Sequence, residues 1–318
     1  MTIEKLFNVV YNPNILIADG AGAITNGFQN VFRPEFFIRI MCWIHMLRNV
    51  EKQLNSVGLK EYKEQIISDI KIIQKSFSKE HFNYSIHLFT TKWQSKNISE
   101  INSFLHYFDK EWISSSNCGW YEGMHIRIPK QNNALEANNL VIKTHHTLRS
   151  RLSLSHYLHN ATTMLNQWSI DRTKPENIFQ HSFEIDSYWS LAYTWLKENG
   201  IVNKIDNTNN FIVAKLEYQH LINDFQALIN NCNLVFDFDT AANIVGHVFY
   251  VTINELNWHY RSCTCSFFQK NYFCSHIISV AVSVNLVKIP SSFKNMVNIE
   301  PKPKRGRKPY ALKALQKQ

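Results

Sequence analysis

Four candidate metal ligands, Cys263, Cys265, Cys274 and His276, lie close together near the carboxyl-terminal end of the chain. Three sulfurs and one imidazole are a ligand set that tetrahedral zinc accepts in proteins. A cluster of buried thiols is the alternative, but it gives no reason for a histidine two residues after Cys274. Because four protein ligands leave no open position on the metal, the pattern predicts structural Zn²⁺, which contributes about 10 kcal/mol to folding of such a small module.

The spacing resembles that of the SWIM-type zinc finger, which reads Cys-x-Cys, a variable gap, and then Cys-x-His. The resemblance implies that the first ligand pair ends a strand and that the second pair opens a helix. The flanking sequence agrees, because residues 245–251 and 258–261 are rich in β-branched and aromatic side chains. Residues 277–286 form an apolar run that suits a packed helix.

Length and composition limit the number of domains and the class of protein. A chain of 318 residues with 45% hydrophobic residues can form two domains with extensions. Its apolar runs are too short to span a bilayer, and its first twelve residues lack the apolar block of a signal peptide, so no membrane partner is expected. Outside the zinc ligands, Cys42, Cys118 and Cys232 are odd in number, and we expect them to be reduced.

Positive charge is concentrated at the carboxyl-terminal end. The chain has a formal net charge of +9, and Pro301–Gln318 contains basic residues but no acidic ones. This composition predicts a disordered tail with an acidic partner, most simply DNA, and a nuclear location. The centre of the tail is Lys304, Arg305, Gly306, Arg307 and Lys308, which resembles an AT-hook that binds the minor groove of A·T-rich DNA. A nuclear-localisation signal or non-specific phosphate contacts remain alternatives.

The first part of the chain alternates between strand and helix patterns. Residues 14–18 are an apolar run that ends at Asp19, residues 36–42 are a second run, and each is followed by a helical pattern. This order predicts an α/β core. Helical stripes in residues 60–113 predict an all-helical insertion, and residues 134–149 return to helix and carry Glu136.

Asp19 and Glu136 are candidate ligands for divalent metal ions that activate a nucleophile on phosphate. Each also has an ordinary structural explanation. Asp19 with Gly20 is a common turn pair, and Glu136 follows Asn133 by three residues, where a helix-capping glutamate lies.

Three segments together resemble the transposase domain of Mutator-like elements. They are Ala18-Asp19-Gly20, the Cys42-x-x-His45 pair at the next junction between strand and helix, and the Asn-Asn-x-x-Glu helix start that ends at Glu136. A SWIM finger downstream of this domain is also typical of the family. The resemblance implies a ribonuclease-H-like fold in which Asp19 and Glu136 are the second and third catalytic acids, with Mg²⁺ or Mn²⁺ as cofactor.

The family's first acid ends an earlier strand, whereas Asp19 is the first aspartate of this chain. The resemblance therefore implies an N-terminally truncated and catalytically inactive member that still binds DNA. Cys42 and His45 either orient the site or are simply buried structural residues. Two alternatives remain, namely a working transposase whose catalytic N-terminal part is missing from this sequence and a module that binds protein partners through its SWIM finger.

The expected layout has four parts. Residues 1–150 form the truncated ribonuclease-H-like domain, with the helical insertion at about 55–115. Residues 151–230 form a helical region, residues 231–295 form the zinc module, and residues 296–318 form the basic tail.

Overall fold

The computed structural model describes Asn8 and residues 12–32, 37–125, 128, 130, 132–173, 186–205, 209–230, 236–254 and 261–294. The AT-hook-like tail and Cys232 lie outside these residues. The chain has a mixed α/β fold in which helices predominate and two small sheets are present. No helix in the described ranges has both the length and the apolar character needed to cross a membrane.

The first sheet has two parallel strands joined by a helix. Strand β1 (Ile15–Ala18) leads into helix α1 (Gly22–Val31), and β2 (Ile38–Met41) pairs with β1 in parallel. Helix α2 (Trp43–Ser56) follows directly. Since the carboxyl ends of parallel strands meet at one edge, this unit places Asp19 and the start of α2 on the same side of the sheet.

The segment 63–113, called the helical insertion, is largely helical, as its apolar stripes predict. It contains α3 (Lys63–Gln74), α4 (Lys79–Gln94) and α5 (Ser99–Phe108), and α5 continues into a π-helical segment, Asp109–Ile113. Together with α2 these helices enclose an aromatic-rich core whose largest fully buried members include Trp93, Trp120, Phe89 and Phe104. The insertion therefore supplies most of the apolar core of the first half of the chain.

A helical arm follows the insertion. Helix α6 (Asn133–Val141) continues into a π-helical segment, Ile142–His146, and a turn leads to helix α7 (Leu154–Thr173). Helix α8 (Asp186–Lys197) comes next and ends shortly before Gly200. The N–H of Gly200 donates to the carbonyl of Trp195, and a Cβ at this glycine would overlap the Trp195 ring.

The second sheet has four antiparallel strands in the order β3-β4-β5-β6. They are Ile201–Lys204, Asn210–Ala214, Val248–Ile253 and Arg261–Cys263. Helices α9 (Ile222–Asn230) and α10 (Phe238–His247) lie between β4 and β5 in the chain. The sheet that leads to the zinc ligands begins at Ile201, before the first residue of the expected zinc module, 231, because β3 pairs with β4 and β4 pairs with β5.

Three short helices complete the zinc module, namely α11 (Ser266–Asn271), α12 (Ser275–Ser283) and α13 (Ser291–Lys294). Helix α12 packs against α8, and both helices contribute to one apolar cluster that includes the three cysteine ligands. Helix α10 instead contributes Phe238 and Ala241 to the core of the first half. The two halves of the chain are therefore joined through shared apolar packing.

Candidate functional site

The metal centre is built where strand β6 ends and two short helices begin. Cys263 is the last residue of β6, Cys265 is the N-cap of α11, and Cys274 is the N-cap of α12. His276 lies in the first turn of α12. The sequence forms this geometry because two ligands two residues apart can both reach one point at a chain reversal, and helix starts supply free N–H groups.

The four ligand atoms lie within 4.8 Å of one another. The Sγ of Cys263 is 3.8 Å from the Nδ1 of His276. In a tetrahedral site with Zn–S bonds of about 2.3 Å, ligand atoms are about 3.8 Å apart. The set therefore needs little movement to hold zinc. Within the described ranges, no other group of three or more His, Cys, Asp or Glu side chains converges in this way.

Burial and hydrogen bonding determine the charge state of the thiols. Burial raises the pKa of Cys263 and of Cys274, whereas hydrogen bonds from these two thiols lower the pKa of Cys265. Three buried thiols cannot all ionise without a cation, since each thiolate opposes the next. The site thus fits a divalent ion that, when bound, stabilises all three thiolates.

The main chain also supports thiolate ligands. The N–H of Cys265 donates to the Sγ of Cys263 at 3.4 Å, and the N–H of Phe268 donates to the Sγ of Cys265 at 3.3 Å. The ring of His276 stacks on Phe249 with a centroid distance of 4.5 Å. These contacts orient the ligands around the metal position, as the groups that surround metal ligands generally do.

Asp19 lies in a second site, at the carboxyl end of β1. Its Oδ1 accepts the N–H of Ala21 at 2.9 Å, so the side chain closes the turn that the Asp-Gly pair predicts. Arg39 of β2 donates to the carbonyl of Asp19 at 2.7 Å and to the hydroxyl of Thr25 at 2.8 Å. Burial lowers the pKa of Arg39, and the Asp19 carboxylate opposes this effect. Arg39 therefore holds the Asp19 turn in place.

The other two motif segments contact each other. The Sγ of Cys42 donates to the Oδ1 of Asn132 at 3.1 Å, and the Nε2 of His45 lies 3.3 Å from the Oε1 of Glu136. Glu136 contacts His45 and does not cap its helix, because the helix begins at Asn133 and Asn132 is the N-cap. Residues about 90 positions apart are thus brought together at the start of α2.

Asp19 and His45 line one cleft of about 610 Å³. Glu136 is not among the lining residues and approaches the cleft only through His45. Glu111 of the π-helical segment also lines the cleft, and sequence reasoning did not identify this residue. The π-helical segment that carries Glu111 continues the apolar pattern of α5, so no sequence signal distinguishes Glu111 from an ordinary surface residue. The remaining lining residues are Gly20, Ala21, Asn49, Lys52, Gln53, Ser56, Tyr107, Trp112 and Asn117.

Comparison with known proteins identifies the metal centre. Residues 261–285 match the family model of the SWIM zinc finger, and this match contains all four ligands. No curated protein and no solved structure matches the chain. The family match and the arrangement of the four ligands together confirm the sequence prediction of a structural zinc site. The chain carries a SWIM zinc finger in which Cys263, Cys265, Cys274 and His276 are arranged to hold a zinc ion.

Proposed function

We propose that this chain is a zinc-stabilised, DNA-binding protein of the nucleus, derived from a Mutator-like transposase with a ribonuclease-H-like core. The observation that carries the proposal is the pair of contacts at the start of α2, from Cys42 to Asn132 and from His45 to Glu136. The resemblance to that family rests on these same segments, which are far apart in sequence. The parallel unit β1-α1-β2, whose first strand is followed directly by Asp19, is also what such a core requires.

DNA binding is supported by charge. The net charge of +9 favours a polyanion as partner, and the tail Pro301–Gln318 contributes seven Lys and Arg residues without an acid. In this proposal Arg305 and Arg307 contact the minor groove, and zinc binding stabilises the fold of the zinc module. The proposed layout remains a core in residues 1–150, followed by a helical region, the zinc module and the tail.

The test is DNA binding measured by fluorescence anisotropy at a series of salt concentrations. For B-DNA, the slope of log K against log salt changes by about 0.9 for each phosphate neutralised. If three or four tail residues contact phosphates, deletion of Pro301–Gln318 should make the slope shallower by about 3. A full-length chain that shows no salt-sensitive DNA binding would overturn the proposal and favour a protein-binding role for the SWIM finger.

The cleft favours a second candidate function, which is metal-dependent cleavage of DNA. Asp19 and Glu111 line the same cleft, and Glu136 reaches it through His45. Carboxylates in such a cleft could bind Mg²⁺ or Mn²⁺, which stabilises charge on the attacked phosphate. In the main proposal no cleavage occurs, because Asp19 closes a turn and Glu136 is engaged by His45.

The two candidates are separated by incubating the protein with supercoiled DNA and Mg²⁺ or Mn²⁺. Nicking that Asp19→Ala, Glu111→Gln and Glu136→Ala abolish would assign cleavage to this cleft. Glu64→Gln is the matched control, because Glu64 is exposed at the first turn of α3. Intact DNA with the unaltered chain would leave DNA binding as the function.

A further inference from the structure

Helix α7 exposes a row of large apolar side chains. The exposed fractions are 73% for Leu154, 56% for Leu158 and 56% for Leu165. A helix of 20 residues extends about 30 Å, and helices in proteins owe most of their stability to packing of an apolar face. Exposed apolar rows of this kind mark contact surfaces.

The row has the spacing of a helix-pairing seam. Leu154, Leu158, Ala161 and Leu165 are separated by four, three and four residues, which is the heptad pattern of two packed helices. At 3.6 residues per turn these four positions fall within an arc of about 60°. We call these four residues the α7 seam.

Helix α7 contacts the rest of the helical arm through a face other than the α7 seam. Met164 is its one buried side chain among the described residues, and the amide of Asn160 donates to the carbonyl of His146 at 2.8 Å. At 100° per residue, Met164 and Asn160 lie about 90° and 130° away from the centre of the α7 seam. Packing on the arm therefore leaves the seam uncovered in the described part of the chain.

The charge of this helix indicates which partner fits. No Asp, Glu, Lys or Arg occurs from Leu154 to Ile170, although the chain as a whole carries +9. A nucleic acid needs basic residues on the contacting face, so it does not fit the α7 seam. Two copies of this chain carry the same net positive charge, so their basic surfaces repel each other. The α7 seam carries no Asp, Glu, Lys or Arg, so two copies can come into contact there without this repulsion.

We propose that the α7 seam pairs with the same seam of a second copy of this chain. The small side chain of Ala161, at the centre, lets the two helices cross closely. Leu158 and Leu165 of each copy then pack on either side of the crossing. A two-fold axis near Ala161 makes the surface complementary to itself. A single pair of helices forms a small interface, in the class below about 1,200 Å² that is typical of weak association, so we expect a dissociation constant of roughly 1 to 100 μM.

The test is sedimentation equilibrium of the full chain from about 1 to about 100 μM, a range that spans the expected dissociation constant. The unaltered chain should dimerise, and Leu158→Asp with Leu165→Asp should weaken dimerisation by about 100-fold or more. Ile170→Asp is the matched control. Ile170 is 57% exposed on the same helix but lies about 150° from the seam, so this variant should still dimerise.

A second variant tests the same pairing by a gain of cross-linking, which misfolding of the aspartate variant cannot explain. Ala161→Cys should form a disulfide-linked dimer under mild oxidation, because the two residues 161 meet at the crossing. Circular dichroism and zinc content should match those of the unaltered chain in every variant. A chain that stays monomeric at about 100 μM, or a double aspartate variant that dimerises normally, would overturn the proposal.

Discussion

His81 should make the stability of the protein fall steeply in mild acid. Its side chain is only 4% exposed, in the first turns of α4, and its ring stacks on Phe77 with a centroid distance of 4.4 Å. Its Nε2 lies 3.5 Å from the hydroxyl of Ser85, and its Nδ1 has no hydrogen-bond partner among the described residues. Burial lowers the pKa of His81 to about 4.

The size of the effect follows from linkage. The unfolded chain binds a proton at this histidine near pH 6.5, whereas the native chain does so only near pH 4. Above pH 6.5 both states are neutral, so the residue causes no pH dependence there. Between these values the unfolded state binds more protons, and stability falls as the pH falls. The loss should be about 2.5 kcal/mol by pH 4.5.

The assay is urea unfolding followed by tryptophan fluorescence from pH 7 to pH 4.5, with the unaltered chain and His81→Gln compared at each pH. The difference between the two free energies of unfolding removes the effect of acid on the zinc site, which both proteins share. His87→Gln is the control, because His87 is exposed on the same helix and should follow the unaltered chain. A difference for His81→Gln that stays constant across this range would refute the reasoning.

Further predictions concern the zinc centre and two glycines. Cys274→Ser should abolish stoichiometric zinc in elemental analysis and unfold the module, whereas Cys118→Ser, which alters a half-buried thiol outside the site, should retain one zinc per chain. A zinc chelator should lower the thermal midpoint of the unaltered chain but not that of the Cys274 variant, as calorimetry can show. Gly123→Ala should destabilise the chain by about 2 kcal/mol or more in urea unfolding, because its Cβ would overlap the Phe77 main chain. Gly27→Ala, in an open position of α1, should instead stabilise the chain by about 0.5 to 1 kcal/mol, and effects of the same sign at the two glycines would contradict this reasoning.

The parts of the fold that could be predicted from sequence are those with a strong local pattern. The apolar runs before Asp19 and Trp43 are strands, and the zinc ligands lie at a strand end and at helix starts, as the resemblance to the SWIM finger implies. Local spacing suffices in these cases because each element, or each ligand pair, is set by residues a few positions apart.

Strands β3 and β4 could not be predicted in this way. Polar residues 206–210 interrupt the segment and leave only short apolar runs on either side. Strand β4 is buried along Phe211–Ala214 because it lies between β3 and β5 in the sheet. Its burial therefore depends partly on β5, which is distant in sequence, and no local pattern reports this pairing.

The geometry of the cleft was also beyond local patterns. Asp19, His45 and Glu136 could be named as candidates, but the contact between His45 and Glu136 joins positions 91 residues apart. Glu111 approaches the same cleft only because α5 continues into a π-helical segment. Such proximity is created by packing of the helical insertion against the first sheet.

The shared core limits how this chain could have been assembled from, or divided into, smaller genes. Phe238 of α10 belongs to the same buried cluster as Phe89 of the insertion, and Lys92 forms an ion pair with Asp239 at 2.6 Å. A gene rearrangement that transferred only the sheet and its zinc ligands to another protein would leave Phe238 facing water. The sheet that carries the zinc ligands should therefore be less stable when it is separated from the helical insertion, which lies more than one hundred residues earlier in the chain.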